Sequence, residues 1–176
     1  MLRKNLLLLV LAAVGLVGFN HHSASLPPAQ RPIPAGEIGS RLPQFSLKGL
    51  QGQNISSSDL GGKIVLIDFW ATWCEPCKKE MPGYQQLLDR YGPRGLAVVG
   101  FKFDTMMDKE DPVVFAKRIR VHYPLAVASD ELKQKFGGIE GLPTTLLYDR
   151  NGILRKKVIG FEYTETFDAE IMRLLQ

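Results

Sequence analysis

The chain has two cysteines among its 176 residues, Cys74 and Cys77, and both of its tryptophans, Trp70 and Trp73, stand just before them. The stretch from Lys63 to Trp70 reads as a strand buried on both faces and broken only by Asp68; from Cys74 to Tyr91 the pattern turns helical. A C-x-x-C at the start of a helix puts both sulfurs on the first turn, near enough to close a small, reversible disulfide ring. The helix end presents unpaired N–H groups and a partial positive charge, which stabilise a thiolate. Cysteines so placed titrate near ~7 or below, against ~8.5 when free. The spacing predicts Cys74 as the exposed attacking thiolate and Cys77, one turn inward, as the thiol that resolves a mixed disulfide. Pro76 suits the first turn, where a missing N–H costs little.

Blander readings compete. A structural disulfide closing so tight a loop removes little entropy from the unfolded chain. A thiolate copper or zinc site needs further ligands, and of the three histidines only His122 could approach in space. No metal is expected. The acids around the pair carry their own alternatives. A carboxyl at Asp68, buried in an apolar strand, has a raised pKa and could take the Cys77 proton; otherwise it is satisfied by Lys102 or by backbone donors. Glu80 is three residues beyond Cys77 and shares its helical face; otherwise it is an ordinary exposed acid beside Lys78 and Lys79. Glu75, between the cysteines, is expected to disfavour the thiolates and make the pair a weaker oxidant.

The elements that must position these groups alternate along the chain. Phe45 to Lys48 and Gln53 to Ile55 suit a short hairpin. Leu96 to Phe103 is another buried strand, Pro112 to Val121 a helix opened by its proline, and Glu131 to Phe136 a short helix closed by Gly137-Gly138. Thr144 to Asp149 and Ile153 to Gly160 flank the turn Arg150-Asn151-Gly152, and Thr166 to Leu175 is a closing helix. The sum is an α/β fold, a mixed central sheet with helices on both faces, an N-terminal β-hairpin and an inserted helical segment between Asp104 and Asp130. Ahead of it, Arg3 and Lys4 precede an uninterrupted apolar run, Leu6 to Phe19. Residues 1–25 read as a signal peptide or membrane anchor, 26–38 as a Pro-rich linker, and 39–176 as the folded domain. Either fate of the leader delivers the domain to an oxidising, extracytoplasmic compartment.

The segment Asp68-Phe69-Trp70-Ala71-Thr72-Trp73-Cys74-Glu75-Pro76-Cys77, with Glu80 and Pro82 after it, resembles the active-site segment of the thioredoxin superfamily. Gly141-Leu142-Pro143-Thr144-Thr145 resembles that superfamily's second signature, a loop whose cis-proline faces the cysteines, and Gly160 resembles the glycine completing its substrate-binding surface. Leader, hairpin and insertion make the chain similar to the extracytoplasmic TlpA/ResA-like disulfide reductases, with the cytochrome c maturation thioredoxins as close relatives. It departs from that pattern at Thr144, where the cytochrome c subgroup typically has Glu, and at Asp68, where the TlpA/ResA branch often has Asn.

The resemblance implies a catalytic set of Cys74, Cys77, Asp68 and Glu80. Trp73, Pro76, Leu142, Pro143 and Gly160 form the substrate-binding surface, Glu75 tunes the pair, and no cofactor is needed beyond a redox-active Cys74–Cys77 disulfide. Trp73, Leu142 and Gly160 then frame a shallow apolar groove for an extended polypeptide, with the Leu142 backbone turned outward to pair with it. The expected activity is reduction of protein disulfides outside the cytoplasm. Apocytochrome c is one candidate substrate, and a membrane thiol–disulfide partner restores the electrons. A monomer is expected.

Two other functions are weighed against this one. A thiol peroxidase on the same fold has Thr and Pro where this chain has Ala71 and Ile67. A copper metallochaperone would hold its ion between the two sulfurs. Nucleic-acid binding is not expected: of 22 basic and 18 acidic side chains, residues 1–35 hold Arg3, Lys4 and Arg31 and no acid, leaving 19 against 18 in the remainder.

Overall fold

In the computed structural model, which describes residues 32–176, the chain runs β1 (Ser46–Lys48), β2 (Asn54–Ser56), β3 (Ile64–Trp70), α1 (Glu75–Tyr91), β4 (Leu96–Phe103), α2 (Pro112–Arg118), β5 (Leu125–Ala128), α3 (Asp130–Lys135), β6 (Thr144–Tyr148), β7 (Leu154–Ile159) and α4 (Thr164–Leu174). The expected leader, 1–25, and residues 26–31 of the expected linker, 26–38, lie outside the described residues. Among the described residues no helix is long and apolar enough to cross a membrane.

All seven residues of β3 are buried, as its apolar composition requires, and β3 is the middle strand of a five-stranded sheet ordered β5-β4-β3-β6-β7. β4 runs parallel to β3 and β5 parallel to β4, whereas β6 is antiparallel to β3 and β7 antiparallel to β6. β1 and β2 form a separate hairpin. Alternation along β3 divides the core in two. Ile64, Leu66 and Trp70 pack with Met81, Tyr84 and Leu87 of α1, Phe115 of α2, and Phe167 and Ile171 of α4. Val65, Ile67 and Phe69 pack on the other face with Phe45 and Ile55 of the hairpin and with Leu132 of α3 and Phe136 just beyond it. Burying one such side chain stabilises by roughly 1.5–3 kcal/mol, so both layers hold the strand that delivers the cysteines. The same alternation puts Asp68 on the α1 face.

Two expectations need correcting in the insertion. The helix at Pro112 ends at Arg118, not Val121, because Arg120 turns left-handed (φ 59°) and the Val121 N–H donates back to the Ala116 carbonyl at 2.9 Å. The expected elements also lack a strand between Asp104 and Asp130, where Leu125–Ala128 forms β5 at the sheet edge.

At the opposite end of the sheet from the cysteines, residues 39–42 pair with the start of β7 and the turn before it. Gly39 N–H donates to the Leu154 carbonyl (2.9 Å), Leu154 N–H to Ser40 (2.8 Å) and Leu42 N–H to Gly152 (2.8 Å). That end is fixed by register: β6 pairs Thr144 with Phe69 but Tyr148 with Val65, so the turn after β6 lies beyond the start of β3.

Candidate active site

The connection from β3 to α1 makes Cys74 the N-cap of α1. Its backbone is extended (φ −80°, ψ 101°), and its Sγ accepts the Cys77 N–H at 3.3 Å. Cys74 and Cys77 are joined as a disulfide, with Cα atoms 5.3 Å apart. Cys74 retains 4% of its surface and Cys77 none. Cys74 thus keeps what little surface the pair has, and in the oxidised ring it is far less exposed than the sequence suggested. Pro76 sits in the first turn. An N–H and a helix end so placed favour the ionised form of a thiol that caps them.

Around this mouth, Trp73 is 37% exposed and its Nε1–H donates to Thr105 Oγ1 at 2.8 Å. Leu142–Pro143 is a cis bond, and the Pro143 carbonyl accepts the Gly160 N–H at 2.8 Å. Gly160 has φ +93° with open space where a Cβ would stand, so its backbone, not crowding, favours glycine there. Leu142 is half-buried between the two core layers. Ile159, Phe161 and Tyr163 expose apolar surface on either side of Gly160, and the rings of Phe161 and Tyr163 meet edge to face at 5.2 Å.

Behind the sulfurs lies a buried polar group of residues. Asp68 is fully buried, and neither carboxyl oxygen has a hydrogen-bond partner among the described residues. Lys102, the cation that might have satisfied it, instead donates to Asp108 (2.6 Å), Asp104 (3.3 Å) and the Phe103 carbonyl (3.0 Å). Burial, reinforced by the Glu80 charge, pushes the Asp68 pKa well above the carboxylate range. Glu80 is buried too, which removes the reading of an ordinary exposed acid; its Oε2 accepts the Glu162 N–H at 3.2 Å. Desolvation raises it to about 7, the Glu162 N–H offsetting part of the effect. Between the two carboxyls, Tyr84 Oη and Thr145 Oγ1 share a hydrogen bond at 3.0 Å, and Thr145 is the cross-strand partner of Asp68.

Glu75 is exposed and paired with Lys78, whose hydrogen bond and charge lower its pKa. Its charge is thus largely answered before it reaches the sulfurs. His122 donates its backbone N–H to Gln85 Oε1 at 2.8 Å, which fixes it beside α1 roughly 12 Å along the helix from Cys77.

The structure also adds residues that the sequence did not single out. Thr72 Oγ1 and the Thr105 N–H (3.2 Å) both donate to the Asp108 carboxylate, which also receives Lys102. No spacing rule links positions 72, 102, 105 and 108; only the loop after β4 brings them together.

The family model described as the AhpC/TSA family matches residues 38–157. The chain is 33% identical over 154 residues to the thioredoxin-like protein YneN of Bacillus subtilis, covering 87% of each chain. To the thiol-disulfide oxidoreductase ResA of Geobacillus thermodenitrificans it is 31% identical over 159 residues, covering 90% of this chain and 86% of that one. A crystal structure of a thiol:disulfide interchange protein of the thioredoxin family from Chlorobium tepidum superposes with a TM-score of 0.72 at 29% identity, covering 81% of this chain and 100% of that one.

Proposed function

The chain belongs to the AhpC/TSA family and is a thiol–disulfide oxidoreductase of thioredoxin-like fold, and from that footing we propose that it reduces disulfides of exported proteins, apocytochrome c among them, outside the cytoplasm. The observation that carries the reading is the asymmetry of the pair: Cys74 caps α1 with a sliver of surface left and its Sγ accepting the Cys77 N–H, and Cys77 is fully buried one turn behind it.

In the proposed cycle the Cys74 thiolate attacks one sulfur of the substrate disulfide. The other substrate sulfur leaves as a thiolate and takes up a proton, and a mixed disulfide forms on Cys74. Cys77 then loses its proton to Asp68 in its ionised form, directly or through water, and attacks Cys74 Sγ. The second substrate thiolate departs, two electrons have passed to the substrate, and the Cys74–Cys77 bond is closed. A membrane partner of thiol–disulfide type reopens it. Glu80 tunes the pair from behind, and Trp73, Pro76, Leu142, Pro143 and Gly160 line the surface on which an extended substrate lies. The two sulfurs supply all the redox chemistry required, with no further cofactor. The cationic, apolar leader supports export.

A Cys77→Ala variant tests the proposal, because it can form the mixed disulfide but cannot resolve it. Expressed with its leader, it is expected to accumulate covalent adducts with extracytoplasmic proteins that dithiothreitol releases and that Cys74→Ala lacks. Absence of such adducts, or adducts confined to the cytoplasmic fraction, would overturn the reading.

A further inference from the structure

We propose that Asp108 and Thr105 are positioning residues that fix the Trp73 indole beside Cys74 and thereby set the preference of the enzyme for polypeptide over small disulfides. The inference rests on the protein-disulfide reductase activity proposed above.

Both residues that precede Cys74 are held, directly or through one intermediate, by the Asp108 carboxylate. Thr72 Oγ1 donates to it directly. The Thr105 N–H donates to it at 3.2 Å, and Thr105 Oγ1 in turn accepts the Trp73 Nε1–H at 2.8 Å. The carboxylate is itself anchored in the sheet, since Lys102 donates to it at 2.6 Å and pairs in register with Trp70 at the end of β3. The Lys102 and Asp108 side chains are only 3% and 14% exposed, so this ion pair is largely shielded from water. Burial would raise Asp108, but the hydrogen bonds from Lys102, Thr72 and Thr105 outweigh it and keep the group ionised.

An indole tied down by its N–H meets an incoming chain in one pose, without ordering cost on binding. Met107, exposed on the same loop between Thr105 and Asp108, lines the same pocket as Trp73 and extends this wall with adaptable apolar surface. A polypeptide substrate spans that wall. Glutathione disulfide needs only the sulfur, and for it the wall is largely irrelevant.

Thr105→Val and Asp108→Asn test the inference. The first removes only the acceptor for Trp73 and leaves the Lys102–Asp108 pair intact; the second keeps an accepting oxygen and removes the charge. With insulin as substrate and dithiothreitol as reductant, Thr105→Val is expected to raise KM about fivefold, the effect of one lost hydrogen bond, with kcat nearly unchanged. Asp108→Asn should raise KM further. The rate of reduced protein with glutathione disulfide should stay within about twofold of wild type for both variants, since that substrate forgoes the hydrogen bond in question. If Asp108→Asn fails to fold, Thr105→Val decides alone. Wild-type KM for insulin in Thr105→Val, or equal losses on insulin and glutathione disulfide, would overturn the inference. A wild-type protein that cannot reduce insulin overturns instead the activity on which it rests, and the inference with it.

Discussion

Asp68 and Glu80 put ionisable groups where water cannot compensate them. Each is a carboxyl whose folded pKa is raised, so the folded protein prefers it protonated while the unfolded chain ionises first. The stability tied to the protonated form is therefore present at acid pH and lost as pH rises through the folded pKa. For Glu80 that window runs from its ordinary 4.5 to about 7, and on the order of 3 kcal/mol is lost across it. The melting temperature of the oxidised protein is expected to fall as pH rises through this window. Glu80→Gln should flatten the decline, and a melting temperature that climbs with pH would mean that the carboxyls are ionised and paired. Asp68→Asn should be more stable than wild type at neutral pH yet resolve its mixed disulfide at least about tenfold more slowly, as loss of a general base requires; stopped-flow release of a labelled peptide measures this. Asp68 was legible in the sequence as the lone acid in an apolar strand. The burial of Glu80 was not, because Lys78 and Lys79 beside it disguise a position adjacent to the stripe Cys77, Met81, Tyr84.

The elements that carry the site were read where apolar pattern and capping agree. β3, α1 and the β6–β7 hairpin fall close to their expected bounds, since buried runs and a Gly-containing turn specify them locally. β5 was missed because Leu125-Ala126-Val127-Ala128 has little strand propensity of its own, and the free edge of β4 orders it. The contact between α1 and α4 was equally hidden. A Cβ on Gly83 would lie 2.0 Å from Thr164 Oγ1, so glycine at that point lets the first turn of α4 close onto α1. Gly83→Ala should cost about 1–3 kcal/mol in urea unfolding through overpacking. Thr164→Ala in the same chain should recover part of that cost, and a silent Gly83→Ala would show that the helices separate freely.

At the scale of the whole molecule, the disulfide equilibrium reflects the balance of all these placements. With Glu75 answered by Lys78 at the surface, the brake on thiolate formation that the sequence assigned to Glu75 is weak, because water and salt screen exposed pairs of this kind. Glu75→Gln should therefore move the reduction potential by less than about 30 mV. The potential itself, titrated against glutathione, is expected to lie well below the ~−120 mV of a strong oxidant, as a reductant requires. A value near that figure would reverse the proposed direction of electron flow.

The hydrogen bonds of Gly39, Ser40 and Leu42 to the far turn of the β6–β7 hairpin fasten the domain by its back. A biosensor chip or a resin coupled through the exposed Asn151 of that turn therefore leaves Cys74 unobstructed, and immobilised protein should exchange with soluble disulfides as readily as protein free in solution.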